Sequence, residues 1–160
     1  MVIIPSEIET RRDEYCRAKQ LQIVDLIGFG VDGYVWQTER ESVVKVCRYK
    51  APFDSELAVY QRLSGIGLRK LQGFDIPWLL DFDSPRWVLE LSFVSPPFVL
   101  DFAAASLGQA PSEMAAPEWL AEKQRMFGRD WPDVQRLLDG LRLYGIHFPD
   151  VHLGNIRVRK

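Results

Sequence analysis

Residues 145–156 read Gly-Ile-His-Phe-Pro-Asp-Val-His-Leu-Gly-Asn-Ile, and this stretch carries more information about the fold than any other part of the chain. Asp150 stands five positions before Asn155, with His152 between them. Upstream, residues 131–144 repeat apolar side chains at helical spacing, and Gly145 is suited to end a helix. The stretch is therefore predicted to be a loop between an amphipathic helix and a short terminal strand at residues 155–159.

A glycine-rich segment lies far upstream, where residues 28–35 read Gly-Phe-Gly-Val-Asp-Gly-Tyr-Val. Gly28, Gly30 and Gly33 have the spacing G-x-G-x-x-G, and Val35 follows two positions later. A dinucleotide-binding loop with this spacing is followed by a helix, whereas β-prone residues follow here. We predict a β-turn-β hairpin whose backbone amides could approach phosphate oxygens. The alternative is a glycine-rich turn that binds no ligand.

Two charged residues come soon after the glycine segment. Lys45 lies among valines in the predicted strand 42–47, and Glu56 lies in the predicted helix 53–63. On a strand that follows a glycine hairpin, a lysine could reach the phosphates of a nucleotide, and the glutamate could pair with it. Each residue also has a simpler interpretation, in which Lys45 points to solvent from an edge strand and Glu56 is a solvated helix residue.

The signals occur in the order found in protein kinases. The stretch from Asp150 to Asn155 resembles the kinase catalytic loop H-R-D-x-x-x-x-N, and it is closer to the H-G-D-x-H-x-x-N loop of aminoglycoside-phosphotransferase-like and other small-molecule kinases. Asp150, His152 and Asn155 match that pattern. The resemblance covers roughly residues 21–159 and is more specific than any single motif.

The resemblance implies a role for each matched residue. Asp150 would orient or deprotonate the acceptor hydroxyl, Asn155 would hold Mg²⁺ with Asp150 as a second ligand, and His152 would brace the loop. Lys45, held by Glu56, would bind the α and β phosphates of ATP. The glycine loop would supply further nucleotide contacts at Gly28, Gly30, Gly33 and Val35. A hinge at residues 90–94, which includes Glu90 and Ser92, would hold the adenine ring by backbone hydrogen bonds.

Two departures weaken the resemblance. Phe148 and Pro149 stand where the family has His and then Arg or Gly. The Asp-Phe-Gly segment that the family carries beyond the catalytic asparagine does not follow Asn155, and Asp81-Phe82-Asp83 and Asp101-Phe102-Ala103 lie upstream of the loop. Because Mg²⁺ relies on carboxylate oxygens, we expect weak or absent metal binding and slow or absent phosphate transfer.

Three hypotheses follow. The first is a minimal kinase-like protein that binds ATP and transfers its γ-phosphate to a small-molecule or protein hydroxyl. The second is a pseudokinase, a nucleotide-binding interaction module without catalysis, in which a second copy or a partner protein covers the exposed C-terminal surface. The third is an unrelated α+β domain in which the motifs coincide by chance.

The rest of the sequence predicts an α+β fold of two lobes. A short exposed helix at residues 6–19, with Ser6 and Glu9 as a capping box, precedes strands at 21–27, 34–38, 42–47, 78–82 and 87–93, with one helix inserted after the third strand. This gives a kinase-like N-lobe, residues 1–94, with a five-stranded antiparallel sheet. A minimal helical C-lobe, residues 95–160, contains a helix at 98–107 and a loop at 108–118, in addition to the amphipathic helix before Gly145.

Composition narrows the class of protein. The 160 residues are 47% hydrophobic and carry a formal net charge of −2, which is ordinary for a globular protein and gives no indication of nucleic-acid binding. The longest basic cluster, Arg157, Arg159 and Lys160, is expected to be solvated. Two cysteines without a CxxC motif, no signal peptide and no long apolar run predict a cytoplasmic protein without a membrane span.

Overall fold

The computed structural model describes residues 1–99, 102 and 104–158. These residues form helices, strands and two 3₁₀ turns, which lie at Ser112–Ala115 and Gly128–Asp130. The helices are α1 Ser6–Lys19, α2 Lys50–Gly65, α3 Pro117–Phe127 and α4 Trp131–Leu143. The strands are β1 Ile23–Phe29, β2 Gly33–Thr38, β3 Ser42–Cys47, β4 Lys70–Leu71, β5 Phe74–Asp75, β6 Leu79–Asp83, β7 Val88–Ser92, β8 Phe98–Val99, β9 Ser106–Leu107, β10 Ile146–His147 and β11 Ile156–Arg157.

The central sheet has five antiparallel strands in the order β1-β2-β3-β7-β6. Helix α2 is inserted after β3. The predicted α+β architecture, with a five-stranded antiparallel sheet and one inserted helix, is confirmed. The hairpin between β2 and β3 turns at Glu41, which adopts a left-handed backbone with φ 56°.

Alternation along the strands separates the two faces of this sheet. Val43 pairs with Leu91, and both belong to the large core that includes α2. Val44 and Val46 belong to a second core cluster with residues of α1. The sheet is therefore covered by α1 on one face and by α2 and the C-terminal part of the chain on the other.

Helix α1 is not the exposed helix that the sequence predicted. Ile8, Tyr15 and Cys16 are buried against the sheet. The predicted capping box does not form, because Pro5 occupies the N-cap position and Ser6 is already helical. Burial raises the pKa of the Cys16 thiol to about 11, since the charged thiolate is disfavoured away from water.

The two ends of the segment predicted as a helix at residues 98–107 are short strands instead, β8 and β9. β8 pairs with β11 and β5, and β9 pairs with β10. The local apolar run resembles a helix, but these partners from distant parts of the chain supply the backbone hydrogen bonds. Leu100, Asp101 and Ala103 lie outside the described residues.

Helix α4 agrees with its prediction, and Gly145, at φ 75°, follows its end. Helix α3 was missed, because residues 117–118 were assigned to a loop and the rest to no element. The predicted terminal strand is present as β11, although Arg159 and Lys160 lie outside the described residues.

One hydrophobic core joins the two predicted lobes. Phe53 and Leu89 from the N-terminal part share a cluster with Leu137, Phe148 and Ile156 from the C-terminal part. The division at residues 94 and 95 stays a prediction. Within the described ranges, no helix is long and apolar enough to cross a bilayer.

Candidate functional site

A cleft of about 460 Å³ opens between the glycine hairpin, the central sheet and the loop after β10. It brings together Lys45, Asp150, Asn155 and all three motif glycines, although more than a hundred residues separate Lys45 from Asp150. The lining residues are Ile27, Gly28, Phe29, Gly30, Val31, Asp32, Gly33, Val35, Val43, Lys45, Leu91, Asp150, His152, Gly154 and Asn155.

Lys45 and Glu56 form a buried ion pair at the floor of this cleft. The Nζ of Lys45 lies 2.8 Å from Oε1 of Glu56, and the two side chains are only 5% and 1% exposed. The Sγ of Cys47 lies 3.9 Å from the second carboxylate oxygen, Oε2. The interpretation of Glu56 as a solvated helix residue is therefore wrong, and so is that of Lys45 as a solvent-facing edge residue.

Glycine occupies the three positions of the motif for different structural reasons. A Cβ on Gly33 would lie 2.3 Å from the carbonyl oxygen of Val46, so close packing of β2 on β3 requires glycine there. A Cβ on Gly30 would meet nothing within 4 Å, and one on Gly28 would reach only Val35, at 3.7 Å. The backbone amide of Gly30 closes the turn by donating to the carbonyl of Gly33. Protein packing thus explains Gly33, while Gly28 and Gly30 leave open space toward the cleft.

The loop that carries Asp150 is held by its own polar groups. The Nδ2 of Asn155 donates to the carbonyl of Asp150, and Oδ1 of Asn155 accepts from the amide of His152, at 3.1 Å. The amide of Gly154 donates to Nδ1 of His152, at 3.0 Å. Asn155 is 2% exposed, whereas the side chain of Asp150 is 46% exposed. The two hydrogen bonds of Asn155, here called the Asn155 clamp, therefore hold the loop and leave the carboxylate of Asp150 accessible.

Aromatic side chains support the same loop from behind. Phe148, which is 1% exposed, packs on Phe102 with ring centroids 5.4 Å apart, and Phe102 meets Tyr60 of α2 edge to face, also at 5.4 Å. The indole nitrogen of Trp119 in α3 donates to the carbonyl of Pro149, at 3.2 Å. The departure at Phe148 thus places a core aromatic two residues before Asp150. Trp119 was missed, although Pro117 at the helix start was a usable signal.

Two predicted site residues, Glu90 and Ser92, are not among the residues that line the cleft. The carboxylate of Glu90 faces α1, where it accepts from the hydroxyls of Tyr15 and Ser42, both at 2.9 Å. Burial and the bond to Glu90 raise the pKa of Tyr15 well above its usual range. The amide of Ser92 donates to the carbonyl of Trp78, and its hydroxyl accepts from the Trp78 amide. The Glu90 and Ser92 side chains are thus held within the protein, and the predicted hinge, in which backbone groups of residues 90–94 hold an adenine ring, stays a prediction.

Sequence reasoning missed the apolar walls of the cleft. Val43 and Leu91 pair across β3 and β7 and lie on the same face of the sheet as Lys45. Ile27 of β1 contributes a further apolar side chain. The alternation of β3 around Lys45 could have identified Val43, but the contribution of Leu91 depends on strand order.

Among the described residues that line the cleft, Asp32 and Asp150 carry carboxylates. Across residues 1–99, 102 and 104–158, no group of three His, Cys, Asp or Glu side chains could hold a metal ion. The amide of Asn155 already bonds within its loop at both of its polar atoms. The described residues alone therefore do not fit the octahedral oxygen site that Mg²⁺ needs. The predicted role of Asn155 as a ligand stays a prediction.

Comparison with known proteins finds similarity only among solved structures. No family model matches the chain, and no curated protein matches it. The chain is similar to the streptomycin–ATP ternary complex of APH(2″)-IIa (14% identity, TM-score 0.46, 88% of this chain and 42% of that one) and to the gentamicin complex of APH(2″)-IIa (14%, 0.46, 88% and 40%). It is also similar to ADP-bound aminoglycoside phosphotransferase APH(2″)-Ib (16%, 0.44, 82% and 38%).

The chain thus spans about two fifths of the length of these structures. They are aminoglycoside phosphotransferases, the group whose catalytic loop the stretch around Asp150 resembles. At these identities and TM-scores, the likeness assigns no role to any residue of this chain.

Proposed function

We propose that this protein binds ATP in the cleft and transfers its γ-phosphate to a hydroxyl group, most simply that of a small molecule. One observation carries the proposal. A buried, paired lysine and a half-exposed aspartate, Lys45 and Asp150, line the same cleft beneath a glycine hairpin. A cation for phosphate oxygens and a base for a hydroxyl are two of the groups that catalyse phosphoryl transfer.

The cleft offers apolar surface for the base of a nucleotide and accessible backbone for its phosphates. Val35, Val43 and Leu91 offer apolar surface for a base, as expected of a small-molecule site. The space beside Gly28 and Gly30 allows phosphate oxygens to approach the backbone. This assignment adds the apolar side chains of Val43 and Leu91 to the predicted backbone hinge at residues 90–94 as contacts of the base.

In this proposal each residue of the site has one chemical role. The ammonium of Lys45 stabilises charge on the phosphates, and Glu56 prevents the lysine from turning away. Asp150, exposed and fixed by the clamp of Asn155, orients the acceptor hydroxyl and takes its proton. Mg²⁺ would neutralise phosphate charge when bound, but the described residues do not complete its site, so no step is assigned to it. We keep the cytoplasm as the proposed location, because the sequence has only two cysteines, Cys16 and Cys47, and no CxxC motif.

The test measures ATP binding by calorimetry and phosphate transfer to a panel of hydroxyl-bearing small molecules. We expect Lys45→Met to weaken ATP binding at least tenfold. We expect Asp150→Asn to keep binding but to lower turnover by roughly 10²–10⁴. Asp139→Asn, at an exposed carboxylate of α4, is the matched control. ATP binding with turnover equal in wild type and Asp150→Asn would leave a nucleotide-binding module without catalysis, and no ATP binding would refute the proposal.

A further inference from the structure

The imidazole ring of His152 is held in the cleft by its neighbours in the loop. The amide of Gly154 donates to Nδ1 of His152, at 3.0 Å, and the amide of His152 donates to Oδ1 of Asn155, at 3.1 Å. A Cβ on Gly154 would lie 2.9 Å from both Nδ1 and Cε1 of the ring. The ring therefore rests directly on the backbone of Gly154, and any larger residue at that position would displace it.

The bond to Gly154 determines which ring nitrogen of His152 carries the hydrogen. A backbone amide can only donate, so Nδ1 is the acceptor and carries no hydrogen. A neutral imidazole has one N–H group, which is then on Nε2. His152 therefore uses one nitrogen to hold the loop and keeps a hydrogen-bond donor on the other.

The Nε2 donor lies beside the carboxylate of Asp150. Nε2 is 3.7 Å from Oδ2 of Asp150, and both residues line the cleft. A movement of about 0.8 Å would bring the two atoms to the usual N–H···O distance of about 2.9 Å, and catalytic hydrogen bonds often tighten in this way when ligands bind. The Asn155 clamp bonds to the backbone carbonyl of Asp150 rather than to its carboxylate. His152 is thus placed to orient the part of Asp150 that the clamp does not hold.

We propose that His152 is a positioning residue for the base, which donates from Nε2 to Oδ2 of Asp150 and so turns Oδ1 toward the acceptor hydroxyl. During transfer the acceptor's O–H bond breaks and its proton passes to Oδ1. The acceptor oxygen forms a bond to the γ-phosphorus while the bond from that phosphorus to ADP breaks. His152 keeps its own hydrogen throughout. The catalytic part rests on the function proposed above, whereas the orientation of the Asp150 carboxylate is measured separately.

The tautomer of His152 is tested by ¹H–¹⁵N correlation NMR of the ring nitrogens at about pH 8.5, where a free imidazole is neutral. His147, the second of the two histidines, is the internal control, because its Nε2 lies 2.8 Å from the carbonyl oxygen of Gly108 and must donate to it. We expect both rings to carry their hydrogen on Nε2, and Gly154→Ala to remove this preference at His152 alone. A hydrogen on Nδ1 of His152 in the wild type, or a His152 tautomer that Gly154→Ala leaves unchanged, would overturn the assignment.

Two substitutions separate the roles of the two ring nitrogens. His152→Asn keeps an acceptor near the position of Nδ1 but has no donor at Nε2, whereas His152→Gln places an amide N–H near the position of Nε2. Scalar couplings between Hα and Hβ of Asp150 report its χ1 rotamer. We expect a single rotamer in the wild type and in His152→Gln, and averaging between rotamers in His152→Asn. Averaging in the wild type, or a single rotamer in His152→Asn, would overturn the positioning role even if the protein turns over no ATP.

The same two variants are then compared in the phosphate-transfer assay. We expect His152→Asn to lower kcat roughly ten- to a hundredfold, the contribution of one hydrogen bond to a charged group, with the KM for ATP within about twofold of wild type. His152→Gln should recover most of this loss. Equal losses in both variants, or a loss in KM instead of kcat, would leave His152 as a brace of the loop and overturn the proposal. A wild type without turnover would refute the function proposed for the cleft, and the couplings of Asp150 would still decide its orientation.

Discussion

Substitutions in the buried pair of Lys45 and Glu56 should affect the stability of the protein and its ATP binding differently. Replacing Lys45 with Met leaves a carboxylate buried, and replacing Glu56 with Leu leaves an ammonium buried. Since the side chains are only 5% and 1% exposed, water cannot screen the remaining charge. We expect each single variant to lower the free energy of unfolding by about 3–5 kcal/mol.

The double variant Lys45→Met/Glu56→Leu should behave differently. Two apolar side chains of similar volume replace the pair, so both of its charges are removed together. We expect stability within about 1 kcal/mol of wild type, or above it, rather than the sum of two large losses. All three variants should nevertheless lose ATP binding, because none retains both the ammonium and the carboxylate that positions it.

The assay is urea unfolding followed by tryptophan fluorescence and circular dichroism, with ATP binding measured by calorimetry. If a single variant fails to fold, recovery of the fold in the double variant is the readout. Lys50→Met and Asp54→Leu form the control cycle, because that pair is 68% and 52% exposed and should contribute about 0.3–0.5 kcal/mol. Additive losses in the Lys45–Glu56 cycle, or ATP binding retained by the double variant, would refute the reasoning.

Further predictions concern the hairpin, α1 and the loop. Gly33→Ala should lower stability by about 1–3 kcal/mol in urea unfolding, because its Cβ would meet a β3 carbonyl at 2.3 Å, whereas Gly30→Ala should change stability by less than about 0.5 kcal/mol. Tyr15→Phe should cost about 1–3 kcal/mol at neutral pH by removing a donor from Glu90. Because the pKa of Tyr15 is raised in the folded state, its stabilisation is complete below about pH 10 and declines as the pH rises further; unfolding at pH 7 and 11 should show a smaller alkaline loss in Tyr15→Phe. Phe148→Ala should cost about 3–5 kcal/mol and speed amide exchange at the loop, and normal protection there would contradict its supporting role.

Local patterns in the sequence were enough to identify several elements. The strands β2 and β3, the helix α4 and the loop around Asp150 each carry their periodicity or spacing within about a dozen residues. For these elements, neighbouring side chains and backbone preferences already favour one conformation. The association of a lysine strand with a distant acidic loop was predicted from the order of the motifs.

Other features depend on partners that are remote in the chain. The apolar run at residues 98–107 was taken for a helix, yet β8 is formed by pairing with β5 and β11. Helix α1 was taken to be exposed, yet Arg11 donates to the carbonyls of Cys47 and Arg86 and Tyr15 is fully buried. No local pattern encodes which surface a helix covers.

The candidate site also combines features that the sequence indicated with features that depend on the tertiary structure. Residue type and spacing made Lys45, Glu56 and Asp150 candidates, because a sequence displays a cation, its counter-ion and a base directly. The direction of the Glu90 side chain and the apolar walls at Val43 and Leu91 became visible only in three dimensions. They depend on strand order and on the packing of α1, and long-range contacts of this kind form only when the whole chain folds.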